Sequence, residues 1–175
     1  MIIRFKKTTN AQSTGSVLTC IRSDGSPTWQ RPTDQHAGFF ARHDLTHYAV
    51  ETELTELQGF YSLIAAGWDI QDFEDPLGRR GQPLPWQANL IEALVGQLDM
   101  QSASQVEWSV EQINQSLATY NEQRQNQSAV GFRIQADQLA RINSKLVELF
   151  ARWDELASGE SLQLTFEPTV FQEES

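Results

Sequence analysis

An apolar stripe with helical spacing runs through residues 39–67 of this chain. Its members follow one another at alternating steps of three and four residues: Phe40, His43, His47, Val50, Leu54, Leu57, Tyr61 and Ile64. Steps of this kind place every member on one face of an α-helix. The pattern predicts one long helix of about seven turns at 3.6 residues per turn, which Gly59 bends and Gly67 ends. The remainder of the chain must then cover the apolar face of this helix.

Two of the three histidines lie on that stripe. At about 100° of turn per residue, His43 and His47 face the core, and Asp44 and Glu51 flank them on one side. Two imidazoles at positions i and i+4 can chelate one divalent ion, and burial lowers the pKa of imidazole so that its lone pair stays free. The pattern therefore predicts a metal site, with zinc as the expected ion, in which Asp44 or Glu51 takes a proton.

A further ligand is expected from another part of the chain. As a ligand, Glu51 would have to span roughly 9 Å along the helix axis from the midpoint of the two histidines, and its side chain covers about half of that. Glu51 therefore leans back toward the metal through a bend, orients a histidine, or serves a second ion. The candidates for the missing ligand are Glu92 on the next predicted helix, His36, and the loop acids Asp69, Asp72, Glu74 and Asp75.

A metal-free interpretation of the same residues is also open. His43 and His47 would then be core histidines, each bonded to a carboxylate or a carbonyl group. Glu51 would pair with His47 as an i, i+4 contact. Asp44 would be favoured in the first turns of the helix by its dipole.

Strands are predicted near the start and near the end of the sequence. Residues 2–7, 17–22 and 28–30 are the first three candidates, and the Asp-Gly in Ser23–Pro27 favours a hairpin turn between the second and third. Residues 162–166 alternate between apolar and polar side chains, and the amino-terminal sheet is the only available partner for them. Cys20 in the second strand is expected to be a buried apolar residue.

Three more helices are predicted after the long one. They span residues 86–100, residues 104–120 after a capping box at Ser104–Glu107, and residues 136–157. Loops are expected at 68–85, which is long enough to cover a site, and at 121–128, and a brief extended piece is expected at 130–134. The fold class is therefore α+β, with about four helices packed on a small antiparallel sheet made by the N-terminal strands and the C-terminal strand. We expect residues 1–170 to form a single domain and residues 171–175 to form a disordered tail.

Charge and cysteine content exclude several classes of protein. The net charge of −10 disfavours binding to nucleic acid or to an anionic membrane surface. A single cysteine excludes an internal disulfide and a thiolate cluster. The amino terminus lacks a signal-peptide pattern, and the run from 59 to 68 is about half of the ~20 apolar residues that a membrane span needs. A cytoplasmic protein is the expectation, with a homo-oligomer as an open alternative.

The five residues His43-Asp44-Leu45-Thr46-His47 resemble the H-E-x-x-H motif of zinc metalloproteases, with Asp in place of Glu. That resemblance implies a general base at Asp44, although the downstream pattern of those proteases is missing here. The residues are also similar to the H-D-x-x-H zinc motif of the ubiquinone-biosynthesis scaffold family, in which a glutamate stands where this chain has Gly59. The wider stretch H-D-L-x-H-Y-x-V-E, with G-F-Y-x-L and A-G-W-D, resembles a bacterial family that has no assigned activity.

The sequence thus predicts a divalent-metal protein, and a metal-dependent hydrolase is the first hypothesis. His43, His47 and a carboxylate of Glu51 or Glu92 would hold the ion, and Asp44 or Glu51 would act on the proton. The second hypothesis is a non-catalytic, metal-stabilised scaffold or a protein that binds a small molecule or a lipid. The third is a metal-free interaction module that associates through its helices.

Overall fold

A computed structural model describes residues 1–9, 14–32, 37–73, 82–124 and 127–168 of the chain. Its strands are β1 (Ile2–Thr9), β2 (Thr14–Ile21), β3 (Pro27–Gln30) and β4 (Ser161–Thr165). Its helices are α1 (Ala37–Glu51), α2 (Phe60–Ala65), α3 (Trp86–Ser104), α4 (Val110–Gln123) and α5 (Ala136–Glu155), with short 3-10 turns at Ile70–Phe73 and Gln127–Ala129. The α+β class predicted from the sequence is confirmed.

The four strands form one antiparallel sheet in the order β3-β2-β1-β4. Phe5 in β1 lies opposite Leu18 in β2 and Leu162 in β4, and all three side chains are buried. The alternate position Arg4 is exposed, because successive side chains of a strand point to opposite faces. The C-terminal strand therefore pairs with the N-terminal sheet as the sequence predicted, and one face of that sheet covers the core.

The hairpin between β2 and β3 also matches its prediction. Gly25 has a positive φ of 86°, and its N–H donates to the carbonyl of Arg22. Glycine accepts this conformation without strain, which explains why the turn falls at the Asp-Gly pair. Cys20 is a free cysteine with no exposed surface, as expected for a small apolar residue.

The single long helix predicted over 39–67 is wrong. Helix α1 ends at Glu51, residues 52–59 are irregular, and the short helix α2 starts at Phe60. The break is stabilised by the Glu51 carboxylate, which accepts hydrogen bonds from the N–H groups of Tyr61 and Ser62 at the start of α2. The apolar stripe nevertheless marked the core correctly, because its later members are all buried: Leu54, Leu57, Tyr61 and Ile64.

The start of the third predicted helix is wrong by several residues. Helix α3 continues through Ser104 and stops at Gln105, which has a φ of 55°. The capping box that opens α4 is formed by Ser109 and Gln112, whose side chains each accept from the other's backbone N–H. A box centred on Ser104 is unavailable because Ser104 is already inside α3.

Two other local predictions differ from the structure. The stretch 130–134 forms no strand, and the amide of the buried Asn114 bonds to both the N–H and the carbonyl of Ile134. The loop predicted at 121–128 begins with the last turn of α4. The middle of the 68–85 loop and the whole 171–175 tail lie outside the described residues, so those predictions stay open.

Helix α1 is the central element of the described structure. It contacts β2, α3 and α5, and its buried apolar residues include Ala41, Leu45, Ala49 and Val50. The contact with α3 brings the histidine-bearing face of α1 against a second helix. Across the described parts of the chain, every helix is too short or too polar to cross a membrane.

Candidate metal centre

A pocket of about 330 Å³ opens along the face of α1 that carries the histidines. Helix α1 lines it with side chains at helical spacing, and α3 forms part of the opposite wall. Its lining residues are Gln30, Phe40, His43, Asp44, His47, Phe60, Phe73, Leu84, Ala88, Asn89 and Glu92. The pocket therefore joins both histidines to a carboxylate that is distant in sequence.

His43, His47 and Glu92 form a group that could hold a metal ion. The Nε2 atom of His47 lies 3.1 Å from Oε2 of Glu92, and Nε2 of His43 lies 3.7 Å from Oε1 of Glu92. The three ligand atoms lie within 4.8 Å of one another. Ligands about 2.1 Å from a tetrahedral zinc ion lie about 3.4 Å apart, so modest side-chain movement would complete this geometry. The Glu92 side chain is 59% exposed and has room for that movement.

The other nitrogen of each imidazole is bonded to a carboxylate. Nδ1 of His43 lies 2.8 Å from Oδ2 of Asp99, and Nδ1 of His47 lies 3.3 Å from Oε1 of Glu51. We assign a proton to each Nδ1 on this geometry, because a carboxylate can only accept. Both Nε2 lone pairs then point toward Glu92. Pairs of carboxylate and imidazole arranged in this way orient histidine ligands at many metal sites.

The positive charge between the rings and Glu92 can come from a proton or from a metal ion. Two lone pairs facing a carboxylate repel it unless a proton or a metal ion lies between them. Burial lowers the pKa of the His47 imidazole, but hydrogen bonds to Glu51 and Glu92 and the charges of both outweigh burial and raise that pKa to about 10. For the Glu92 carboxyl, burial raises the pKa. The hydrogen bond to His47 and the charges of both histidines outweigh burial and lower the pKa overall. The site is thus built to hold positive charge.

Glu51 lies behind His47 and outside the group of three. Its side chain is buried, and its carboxylate accepts from the N–H of Tyr61 at 3.0 Å and of Ser62 at 3.2 Å in addition to the His47 ring. A Cβ on Gly59 would lie only 2.7 Å from Oε2 of Glu51, so only glycine leaves room for this carboxylate. Among the three roles considered for Glu51, orientation of a histidine matches this position.

Asp44 lines the pocket beside the histidines and is 3% exposed. Its Oδ2 accepts from Nε2 of Gln30 at 3.2 Å, and its backbone carbonyl accepts from the Tyr61 hydroxyl at 3.0 Å. Burial raises the pKa of the Asp44 carboxyl to about 6, although the charges of His43 and His47 act in the opposite direction. A carboxyl that titrates near neutral pH is suited to general acid–base chemistry.

Asp99 was missed by sequence reasoning. It lies seven residues after Glu92 on α3, which is close to two helical turns, so the two acids share one face. Besides His43, its carboxylate contacts the Thr46 hydroxyl at 2.8 Å. The sequence signal for Asp99 was its spacing of seven residues from Glu92 on the helix that is now α3.

The remaining predicted candidates fall elsewhere. Asp69 pairs with Arg22 at 2.8 Å, and Asp72 accepts from the Asp69 N–H. Neither belongs to a metal-capable group in the part of the chain that the structure describes. His36, Glu74 and Asp75 lie outside the described residues.

Comparison of the chain with protein-family models, with curated protein sequences and with solved structures finds no match. The resemblances noted above therefore depend on the motif residues alone. The interpretation of the site comes from its own geometry.

Proposed function

We propose that this protein binds one divalent metal ion, with zinc as the expected ion, through His43, His47 and Glu92. The observation that carries the proposal is the orientation of the two imidazoles. Each ring is bonded to a carboxylate at Nδ1, and both Nε2 atoms converge on Glu92 within coordinating range. A doubly protonated His47, whose pKa is raised to about 10, would make the same two contacts without a metal, so metal content distinguishes the two interpretations.

We further propose that the site is catalytic and hydrolytic. Three protein ligands would leave one position open on a tetrahedral ion, and all three ligands line the pocket of about 330 Å³. A divalent ion bound there would supply Lewis acidity toward a carbonyl oxygen or a water molecule. Asp44, which lines the same pocket, would accept the proton of the attacking water and return it to the leaving group.

One observation favours a second candidate, a metal-stabilised scaffold without activity. The three ligands come from two helices, α1 and α3, so a bound ion would fasten these helices to each other. A fourth protein ligand would close the coordination shell and remove the open position. Metal content alone does not separate the two candidates, whereas the role of Asp44 does.

The first test is elemental analysis of protein purified without a histidine tag. We expect about one divalent ion per chain, and a loss of most of that occupancy in His47→Ala and Glu92→Ala. Zinc at about 100 times its Kd should stabilise the apo wild type by about 2.7 kcal/mol, which raises the Tm. Glu122→Ala, which removes an exposed acid on α4, is the matched control and should keep full occupancy.

Two results would contradict the metal proposal. A wild type without stoichiometric metal, whose Tm is unchanged by added zinc, would exclude the site. Full occupancy in His47→Ala would exclude the assigned ligands while leaving metal binding intact.

The second test concerns Asp44. Asp44→Asn should retain the metal but hydrolyse p-nitrophenyl acetate about 100-fold more slowly than the zinc-loaded wild type, because a positioned base contributes about 10²–10⁴ in rate. The wild-type rate should fall at acidic pH, below the pKa that Asp44 has in the zinc-loaded protein, as its carboxyl becomes protonated. Equal rates for the variant and the wild type would favour the scaffold.

A further inference from the structure

The pocket beside the candidate metal group has an aromatic wall, which we define as Phe40, Phe60 and Phe73. The wall begins at a proposed ligand, because the Phe60 ring centroid lies 5.4 Å from that of His47. The Phe73 ring follows at 4.8 Å from Phe60. Leu84 and Ala88 add further apolar surface to the same pocket. A ligand held at the histidines would therefore contact phenylalanine rings.

The titratable groups that face the pocket are acids and the two histidines. Asp44 comes from α1 and Glu92 from α3, and β3 contributes the neutral amide of Gln30. Within the described residues, lysine and arginine are absent from the lining. Asp44 and Glu92 together balance the charge of a divalent ion, so a second anionic group would meet no net positive charge in the described lining.

The volume of the pocket limits the size of the ligand. A volume of about 330 Å³ lies at the small end of ligand pockets. One six-membered ring with a short polar head group fits this space.

We propose that the pocket takes a small, uncharged molecule with a flat aromatic body and one carbonyl-type head group, in preference to a phosphate ester or a dicarboxylate. This inference depends on the proposed metal site, which would hold the head group. The aromatic wall would hold the body, since offset and edge-to-face ring contacts add to the burial of apolar area.

Hydroxamates test this inference, because their head group chelates a divalent ion and their body can be varied. Isothermal titration of the zinc-loaded protein should show benzohydroxamate binding at least tenfold more tightly than acetohydroxamate. The anionic 4-carboxybenzohydroxamate should bind at least tenfold more weakly than benzohydroxamate.

Variants test whether the aromatic wall causes the preference for benzohydroxamate over acetohydroxamate. Phe60→Ala should reduce the ratio between benzohydroxamate and acetohydroxamate below about threefold, with both affinities measured on protein of known zinc content. Phe60→Leu preserves apolar volume in case the alanine variant fails to fold, and it should reduce the ratio in the same direction. Phe132→Ala, a partly buried phenylalanine outside the lining, is the control and should keep the wild-type ratio.

The outcomes separate the two proposals. Equal affinity for both hydroxamates, tighter binding of the carboxylated compound, or no hydroxamate binding by zinc-loaded protein would overturn the inference about the ligand. A protein that takes up no stoichiometric zinc would overturn the metal proposal itself.

Discussion

Glu51 shows how a single carboxylate can connect a histidine to the backbone of another element. It is 1% exposed, and burial of a carboxylate is costly unless donors surround it. The donors are the His47 ring and the first N–H groups of α2, at Tyr61 and Ser62. The orientation of His47 is therefore coupled to the position of α2, which carries Phe60 into the pocket.

At the residue scale, this coupling predicts the effect of Gly59→Ala. The new methyl group would displace the Glu51 carboxylate, whose Oε2 lies 2.7 Å from the Cβ position. Loss of its buried hydrogen bonds should lower the free energy of unfolding by about 1–3 kcal/mol. Misorientation of His47 should also weaken zinc binding by about 10- to 100-fold. Urea unfolding and zinc titration measure the two effects.

Gly96→Ala is the matched control for that substitution. Gly96 lies inside α3, and a Cβ there meets no atom within 4 Å. Alanine should stabilise the helix by about 0.5–1 kcal/mol and leave zinc affinity unchanged. A Gly59→Ala protein as stable as the wild type would show that Glu51 can move without cost.

At the element scale, the α1–α2 break shows what the sequence could and could not predict. The apolar stripe predicted the burial of Tyr61 and Ile64, because periodicity reports which side chains face the core. It did not predict the end of α1 at Glu51, because that end depends on a carboxylate bonding to N–H groups ten and eleven residues later. The spacing of apolar residues along the sequence does not reveal a contact of that kind.

The capping boxes and the candidate site were also predicted only in part from the sequence, because some of their features depend on tertiary packing. Ser104 and Ser109 are each followed three residues later by Glu or Gln, and only the length of α3 decides between them. The i, i+4 histidine pair was visible in the sequence, and Glu92 was one of several candidate partners. The spacing of seven between Glu92 and Asp99 placed both acids on one face of α3, but only the packing of α3 against α1 shows that Asp99 contacts His43.

Glu53 connects the end of α1 to α5 and predicts a pH dependence of stability. Its carboxylate lies 2.8 Å from both Arg141 and Lys145. Burial raises the pKa of the Glu53 carboxyl, but the hydrogen bonds from Lys145 and Arg141 outweigh burial and lower it overall. The folded state thus binds this proton less readily than the unfolded state. The resulting stabilisation is complete above the unfolded pKa of about 4.3 and is lost as the pH falls through the lower, folded value.

Glu53→Gln should therefore lower the free energy of unfolding by about 1–2 kcal/mol at pH 7 and by much less near pH 3. Urea unfolding at both pH values measures the difference. Glu122→Gln, on the exposed side of α4, should change stability by less than about 0.5 kcal/mol at either pH. A Glu53→Gln deficit that is equal at both pH values would show that packing, and not charge, is responsible.

At the scale of the whole molecule, the sheet joins segments from the two ends of the described chain. Strand β1 pairs with β4, where Ile3 lies opposite Leu164. Leu164 is 7% exposed, and its neighbour Gln163 points to the exposed face, where it accepts from Arg4.

Leu164→Ala should lower the free energy of unfolding by about 2–5 kcal/mol, as expected for a leucine removed from a core. Gln163→Ala, one residue away on the other face, should change it by less than about 0.5 kcal/mol. Urea unfolding of both variants measures the contrast. Similar effects of the two substitutions would contradict the observed register.

The pairing of β1 with β4 also has a consequence for the nascent chain on the ribosome. Residue 9 and residue 161 are 152 positions apart, so at about 5–20 residues per second β1 waits roughly 10–30 s for its partner. Helices α1 and α3 have already emerged by then, whereas one edge of β1 remains unpaired. Arg4, Lys6 and Lys7 lie on that strand, and charged side chains on an open edge oppose pairing with other nascent chains. We therefore expect the basic residues of β1 to disfavour such pairing during the interval before β4 is made.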